Sequence, residues 1–424
     1  MKMYLMLLAV LILSVSRSFA GFDDYFLNKT LRIDYYHTGN DSIDIYSLDE
    51  LISEPYWGGS KVNLVDIFDY GEYKFLVYDD ATNTLIYSRG YSTLFSEWQT
   101  TAEAKITTKS FSESVVMPFP KKKIRVEFYT RNRKGIFNKK FTYKVDPTNY
   151  FIKTERKYKY PTYDILNSGD PAVKVDIVII PEGYTQDQME QFKLDCKTFT
   201  DGFFKNKPYQ ENKEKFNVRC VLAPSQESGT DVPADKIWKN TLVNTNFYTF
   251  GTERYLMTMD DKMVRNVAAN APYDQIYILV NTDIYGGGAI YNYYAVCVST
   301  NQYKDYIFAH EFGHAFAGLA DEYYDSDVSY NDFYPKGVEP WEPNITTLVA
   351  FDKKWKDLVD KTTPIPTPFK EEYMKTVGAF EGGGYVAKGV YRPSYDCTMK
   401  SISVNNFCKV CTRSIEKMIK FYSE

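Results

Sequence analysis

Two of the chain's three histidines stand four residues apart, and a glutamate directly follows the first. The run from Ala309 to His314 reads AHEFGH, which has the HExxH spacing. Side chains at positions i and i+4 lie on one face of a helix, so the imidazoles of His310 and His314 can bind one Zn²⁺ ion. Glu311 would then lie beside the open coordination position as a general base. The motif predicts a zinc hydrolase.

The third zinc ligand is expected to be a carboxylate, because the only other histidine, His37, lies far upstream. Gly318 can end the motif helix in a left-handed turn. Asp321 follows three residues later and can turn back to the metal. Glu322 is the alternative third ligand.

Two other interpretations of the HExxH motif stay open. The histidines can be capped or packed in the core of an ordinary helix, with no metal bound. A purely structural zinc site is the second alternative, and it would need four protein ligands and no Glu311.

Residues 1–20 have the pattern of a secretory signal peptide. Lys2 supplies the positive region, the run from Leu5 to Leu13 is apolar, and Ser18-Phe19-Ala20 is a small-residue cleavage site. We therefore expect an exported protein that is periplasmic, cell-surface or extracellular. No later segment approaches 18 uninterrupted apolar residues, so no integral membrane segment is expected after cleavage.

The length of 424 residues favours two domains after the leader. Residues 21–148 alternate polar and apolar side chains in short runs, with hairpin signals at 79–83 and 132–135, which predicts an antiparallel β-sandwich. Residues 149–173 are polar and proline-spaced, as in a linker. Residues 174–424 alternate apolar strands with amphipathic helices, which predicts a mixed α/β catalytic domain.

The balance of 51 basic and 55 acidic residues shows no basic stripe and argues against a nucleic-acid partner. A polypeptide or glycoprotein substrate suits the predicted chemistry. Nothing in the composition points to an oligomeric state.

A glycine run precedes the motif helix. Gly287, Gly288 and Ala289 fall on a predicted strand, where glycines often mark a close backbone approach. This strand is a candidate cleft edge to which an extended peptide adds. A flexible hairpin loop is the alternative.

All six cysteines lie after residue 190. Disulfides or buried thiols are the expected roles in an exported chain. Cys408 and Cys411 can also join Cys397 in a metal site, but the sequence offers no fourth ligand nearby.

Several segments resemble the IgA-peptidase family of zinc metalloendopeptidases. They are His310–Tyr323, Gly378–Tyr385, Tyr391–Pro393, Asp396–Lys400, Phe407–Cys411 and, in the N-terminal domain, Leu31–Tyr36. The resemblance implies a metzincin-like peptidase preceded by a β-sandwich, with Met399 in a Met-turn beneath the zinc.

Further site residues are expected around this centre. Arg392 and Tyr395, near the proposed Met-turn, are candidate donors to the oxyanion of the transition state, with structural hydrogen bonding as the alternative. The acidic group of Asp321, Glu322, Asp325 and Asp327 also offers oxygen ligands of the kind Ca²⁺ prefers, with a solvated loop as the alternative.

The sequence thus supports two functional hypotheses. The first is an exported zinc endopeptidase with one catalytic ion. The alternative is a secreted binding or adhesion protein whose peptidase-like domain keeps the metal but is catalytically silent. Glu311 favours the first, since a scaffold has no need of a general base.

Overall fold

The computed structural model describes residues 21–324, 334–335, 337–404 and 406–424. The predicted signal peptide therefore lies outside the described residues. Among the residues described, no helix has the length and apolar character needed to cross a membrane.

Two antiparallel sheets make up the N-terminal region. Their strands are β1 Phe26–Gly39, β2 Asp44–Glu54, β3 Tyr73–Asp79, β4 Leu85–Tyr91, β5 Lys109–Pro120, β6 Ile124–Arg131 and β7 Phe137–Val145, accompanied by the short helices α1 Phe22–Tyr25 and α2 Leu94–Trp98. The strand orders are β2-β1-β5 and β4-β3-β6-β7. The sheets meet through aromatic rings such as Tyr35 on β1 and Phe128 on β6, whose centroids are 5.3 Å apart. The predicted β-rich character is confirmed, and both predicted hairpins join paired strands.

The second part of the chain is built on a six-stranded mixed sheet. Its strands are β8 Thr162–Leu166, β9 Val175–Glu182, β10 Phe216–Val221, β11 Gln275–Val280, β12 Gly287–Ile290 and β13 Tyr294–Val298. The order is β12-β13-β11-β9-β10-β8. The four inner strands run parallel, while the edge strands β8 and β12 are antiparallel to their neighbours. The mixed α/β prediction is confirmed.

Four longer helices and a hairpin complete this part. They are α3 Met189–Phe203, α4 Asp261–Ala268, α5 Lys304–Ala317 and α6 Lys409–Ser423, with the hairpin of β14 Phe380–Gly383 and β15 Val386–Arg392. One prediction needs correction, because β8 lies inside the segment 149–173 expected to be a linker. Its five residues, TYDIL, are mostly exposed and pair with β10 as an edge strand, where one side of the strand needs no partner.

Helix α5 carries the HExxH motif, and phenylalanines orient it. Phe308, Phe312 and Phe316 recur at i+4 spacing and are buried. Phe308 packs against Phe199 of α3 with ring centroids 3.9 Å apart. Because this face is buried against the core, the polar residues of the motif are directed to the other side of the helix.

The N-terminal region docks directly beside α5. The Ser92 N–H donates to the Tyr291 carbonyl at 2.9 Å, and the Asn292 amide donates to the Gly90 carbonyl at 2.8 Å. The Trp341 indole donates to the Glu72 carboxylate at 2.7 Å. These contacts make the N-terminal region one wall of the cleft over α5.

Candidate metal centre

Helix α5 ends at Gly318, which has φ 61° in the left-handed region. The Gly318 N–H donates to the His314 carbonyl and the Leu319 N–H to the Gly313 carbonyl, both at 3.1 Å. This is the pattern of a glycine-terminated helix. The predicted left-handed turn is confirmed, and it reverses the chain toward the histidines.

After this turn Asp321 reaches back to both imidazoles. Its Oδ1 lies 3.0 Å from His310 Nε2 and 3.3 Å from His314 Nε2. The two Nε2 atoms are 3.1 Å apart. We call these three residues the histidine cluster; their ligand atoms form one of the two groups of candidate metal ligands in the described part of the chain.

The other ring nitrogens determine which atoms can bind a metal. His310 Nδ1 lies 3.0 Å from the Thr398 carbonyl, and His314 Nδ1 lies 2.5 Å from the Leu319 carbonyl. A carbonyl only accepts, so each Nδ1 must carry a proton, and in the neutral imidazole Nε2 keeps its lone pair. Two lone pairs and a buried carboxylate oxygen then face one another.

This donor set fits zinc. Tetrahedral ligands at about 2.0–2.1 Å from Zn²⁺ lie about 3.3 Å from one another, close to the separations found here. Asp321 Oδ1 is also a buried atom with no well-aligned hydrogen-bond partner among the described residues. A cation bound by the histidine cluster would satisfy all three atoms.

The electrostatics of the histidine cluster show how tightly its charges are coupled. Burial acts to lower the pKa of His314, but the neighbouring Asp321 carboxylate outweighs it and raises that pKa to about 9. Burial acts to raise the pKa of Asp321, yet the imidazoles hold it well below its ordinary value. The hydroxyl of Tyr385 donates a very short hydrogen bond to Asp321 Oδ2. Asp321 is therefore a carboxylate with one oxygen held by Tyr385 and the other turned to the histidines.

Glu322, the alternative ligand, points elsewhere. Its Oε1 accepts from the Asn344 amide at 3.0 Å and lies 3.2 Å from the Cys411 thiol. Of the two adjacent carboxylates, only Asp321 is brought to the histidines.

Glu311 lines an open cleft together with the histidine cluster. The side chain is partly exposed there. Burial raises its pKa above the ordinary value of a glutamate, while the two histidines act to lower it. A carboxylate with a raised pKa beside a metal site suits a general base.

The glycine run forms β12, which is the edge strand beside α5. A side chain at Gly287 would meet Val296 O at 2.9 Å and Glu311 Cγ at 3.5 Å, which explains the small residue. The prediction needs correction at Gly287, because its N–H donates to Arg254 O and its carbonyl accepts from Leu256 N. The outer edge at Gly287 is therefore occupied.

The same alternation turns the backbone of a later residue of this edge outward. In an antiparallel strand every second residue turns its N–H and C=O outward. Ala289 has the same parity as Gly287, whereas Gly288 faces the inner neighbour β13. Of the three predicted edge residues, Ala289 lines the cleft and has the parity that turns its N–H and C=O away from β13.

Met399 lies fully buried beneath α5. A Cβ added to Gly313 would meet its sulfur at 3.0 Å, so the methionine packs directly under the turn of helix that carries His314. The adjoining Thr398 supplies the carbonyl that orients His310. This turn supports the histidine cluster from below.

Arg392 and Tyr395, expected near the reacting carbonyl, do not line the cleft. Arg392 is buried and donates to the backbone carbonyls of Glu381 and Gly382, while Tyr395 packs against the ring of Phe369. Their expected catalytic role is wrong for the described cleft, because the Arg392 guanidinium bonds to the β14–β15 hairpin and Tyr395 lies outside the cleft.

Sequence reasoning missed other cleft residues. Tyr385, Tyr306, Arg254 and Tyr323 all line the cleft. Tyr385 and Tyr323 lie in segments quoted for the family resemblance, which was the available signal. Arg254 lies in a loop with no motif, so nothing in the sequence marked it.

The calcium hypothesis finds no support in the described residues. Asp325 and Asp327 lie outside them. Asp321 and Glu322 are directed into different clusters.

All six cysteines are free thiols, so no disulfide joins them.

Comparison with protein families agrees with this geometry. Residues 163–376 and 370–419 match the model described as IgA Peptidase M64. Residues 21–142 match the model described as Peptidase M64 N-terminus. No curated protein matches the chain. The chain belongs to the IgA peptidase M64 family.

Proposed function

We propose that this peptidase is an exported, zinc-dependent endopeptidase. The observation that carries the proposal is the convergence of two imidazole Nε2 atoms and one carboxylate oxygen within 3.0–3.3 Å, beside a glutamate in an open cleft. The leader-like residues 1–20 support export. Zinc is favoured because its tetrahedral catalytic sites take three protein ligands of this kind.

The chemistry of the cleft divides between the ion and the protein. When bound, zinc supplies a Lewis acid that polarises the scissile carbonyl and acidifies water. Glu311 takes the proton from the attacking water and delivers it to the leaving amine. Tyr385 fixes the Asp321 carboxylate, while the carbonyls of Thr398 and Leu319 fix the two imidazole rings.

Arg254 replaces Arg392 and Tyr395 as the proposed oxyanion-stabilising residue. It lines the cleft with Glu311, and its Nη2 lies 3.4 Å from the Tyr323 hydroxyl. A positive charge and a hydroxyl at the cleft wall can stabilise negative charge that develops on the substrate carbonyl.

The proposed substrate is an extended segment of a protein or glycoprotein. Ala289 would pair with its backbone at the edge of β12. Glu72, Ser96 and Glu97 of the N-terminal region line the same cleft, so this region would contact substrate on the opposite side.

The face-to-face sheets of the N-terminal region fit the expected β-sandwich. Met399 beneath the histidine cluster fits a metzincin-like Met-turn.

The test compares the wild type with Glu311→Gln, which keeps the side-chain shape and removes the base. Both proteins are assayed for zinc content and for cleavage of a panel of denatured proteins, glycoproteins and immunoglobulin A. Glu190→Gln is the matched control, since Glu190 is a glutamate 82% exposed on α3. We expect cleavage by the wild type and the control, its loss with a chelator, and its recovery with zinc.

Glu311→Gln should bind zinc normally and lose cleavage. If the wild type and Glu311→Gln bind zinc but process the panel identically, the chain is a binding protein rather than a peptidase. Absence of zinc from both would contradict each metal-based interpretation.

A further inference from the structure

A second cluster of candidate metal ligands lies behind the histidine cluster. It consists of Glu322, Cys397, Cys408 and Cys411, whose ligand atoms all lie within 4.8 Å of one another. We call it the cysteine cluster. Its members come from three separate segments: the loop after α5, the turn after β15 and the start of α6.

The sulfur spacing is that of a metal site rather than a disulfide. Cys397 Sγ and Cys411 Sγ are 3.8 Å apart, whereas a disulfide would hold them at about 2.05 Å. Two thiolates at about 2.3 Å from a tetrahedral Zn²⁺ lie about 3.8 Å apart. The Glu322 carboxylate completes the set at 3.2 Å from Cys411 Sγ.

Glu322 feels the charge of Arg392 but forms no direct ion pair among the described residues. The side chain is fully buried, and its Oε2 has no hydrogen-bond partner among the described residues. Its Oε1 has the Asn344 amide and the Cys411 thiol, neither of which carries a positive charge. A buried charge is normally paired or bound to a metal.

The start of α6 favours thiolates at this point. Cys408 is the N-cap residue of α6, and Cys411 lies in its first turn. The Cys408 N–H points at Cys397 Sγ, 3.3 Å away. Backbone N–H groups at a helix N-terminus stabilise thiolate, the form of cysteine that binds metals.

We propose that the cysteine cluster is a second, structural zinc site with three thiolate ligands and the Glu322 carboxylate. Soft thiolates favour zinc over calcium or magnesium, and four protein ligands leave no position for substrate. The fourth ligand could not be found from the cysteine spacing, because Glu322 lies 75 residues before Cys397 in the chain.

This site would fix the elements that position the histidine cluster. Glu322 directly follows Asp321, and its N–H donates to the Met399 carbonyl at 2.8 Å. Cys397 directly precedes Thr398, whose carbonyl orients His310. One ion bound to Glu322 and Cys397 would therefore fix both the segment that carries Asp321 and the segment that carries Thr398.

The experiment loads the full mature chain with Co²⁺ and with Zn²⁺ and measures metal content together with the cobalt absorption spectrum. We expect about two ions per chain, and a thiolate-to-cobalt charge-transfer band that reports the cysteine cluster alone. His314→Ala should lose one ion and keep the band. Cys411→Ser should lose the band, whereas Cys220→Ser, a buried cysteine of β10, should keep it.

A spectrum from the wild type avoids dependence on variants that fail to fold. The proposal is overturned if the wild type binds a single ion and shows no thiolate band, or if thiol titration of the unreduced, denatured protein finds Cys397, Cys408 or Cys411 in a disulfide. If the wild type binds a single ion and His314→Ala loses it, the proposed peptidase still stands. A thiolate band without an ion at the histidine cluster would support this inference and contradict the proposed peptidase.

Discussion

The histidine cluster and the cysteine cluster lie back to back but differ in their access to solvent. The His314 side chain is 15% exposed and faces the cleft. In the cysteine cluster Glu322, Cys397 and Cys411 are fully buried and Cys408 is partly exposed, and none of the four lines the cleft. A catalytic zinc site keeps a position open for water and substrate, whereas a structural site is closed by four protein ligands. Adjacent carboxylates, Asp321 and Glu322, supply one ligand to each cluster.

His37 offers a third arrangement, in which a histidine meets carboxylates without forming a metal site. Its Nδ1 lies 3.1 Å from Glu113, and its Nε2 makes a very short contact with Asp44. Both nitrogens face acids, so no lone pair is left to converge on a cation. The difference shows that the orientation of the ring nitrogens, rather than proximity to acids, marks the metal centre.

The largest effect is expected from separating the adjacent carboxylates. Asp321→Asn should lower peptidase activity and zinc affinity at the histidine cluster by more than about 100-fold, because losing a ligand costs more than losing its hydrogen-bond partner, which costs about 10–100-fold. Glu322→Gln should weaken metal binding at the cysteine cluster and keep the thiolates. Metal content and cleavage of the same substrate measure both.

The two variants serve as controls for each other, since each removes one carboxylate charge at neighbouring positions. The assignment of one carboxylate to each cluster is wrong if Glu322→Gln removes the ion from the histidine cluster while Asp321→Asn retains it there.

The second prediction concerns His37, which is fully buried. Replacing it with alanine leaves the buried Glu113 carboxylate without its ion-pair partner, while Asp44 keeps Lys140 at 3.3 Å. We expect a loss of about 3–5 kcal/mol in the free energy of unfolding. Zinc content should not change. Denaturant unfolding and metal analysis measure these quantities.

The pH dependence of this loss has a definite sign. Burial acts to lower the pKa of His37, but Glu113 and Asp44 outweigh it and raise the pKa. The stabilisation is therefore fully present below about pH 6.5, the ordinary pKa, and is lost as pH rises through the raised value. A difference between wild type and His37→Ala that grows with pH would refute this account.

The third prediction tests the support of Asp321 by Tyr385. Tyr385→Phe removes the hydroxyl that donates to Asp321 Oδ2, and we expect a 10–100-fold loss of activity or zinc affinity, typical of such partners. Tyr395→Phe is the matched control, because its ring packs against Phe369 outside the cleft. Equal losses in both variants would show that the tyrosines act through the fold alone.

The smallest effect is expected at the substrate edge. Ala289→Pro removes an outward N–H that the inner neighbour of β12 does not use, so the edge strand should survive. One lost hydrogen bond of about 0.5–1.5 kcal/mol predicts a fall of about 2- to 10-fold in kcat/KM. Unchanged kinetics with a long peptide substrate would remove Ala289 from the substrate-binding edge.

Much of the fold followed from local patterns. Alternation of polar and apolar residues predicted the β-rich residues 21–148. Apolar strands alternating with amphipathic helices predicted the mixed α/β part, and the HExxH motif predicted helix α5. The edge strand β8 was missed because it has only five residues and lies within a polar, proline-spaced segment. A strand of this kind gains its stability from pairing with β10, which no local pattern reveals.

The histidine cluster was accessible from sequence because its residues lie within one helix and the turn that follows. His310, Glu311 and His314 share a helical repeat, and Gly318 marks the reversal that brings Asp321 back. Tyr385 and Arg254 come from segments that are distant from the HExxH motif along the chain. Glu322, the fourth member of the cysteine cluster, is likewise distant from the three cysteines. Their placement depends on tertiary packing, which the spacing of residues along the chain does not encode.

Anomalous diffraction from zinc-equilibrated crystals, recorded above the zinc absorption edge, tests the central claim most directly. We expect a peak about 2.0–2.2 Å from His310 Nε2, His314 Nε2 and Asp321 Oδ1, with Glu311 beside the open position. The absence of a peak there, with a direct hydrogen bond between an imidazole and Asp321, would contradict the zinc peptidase.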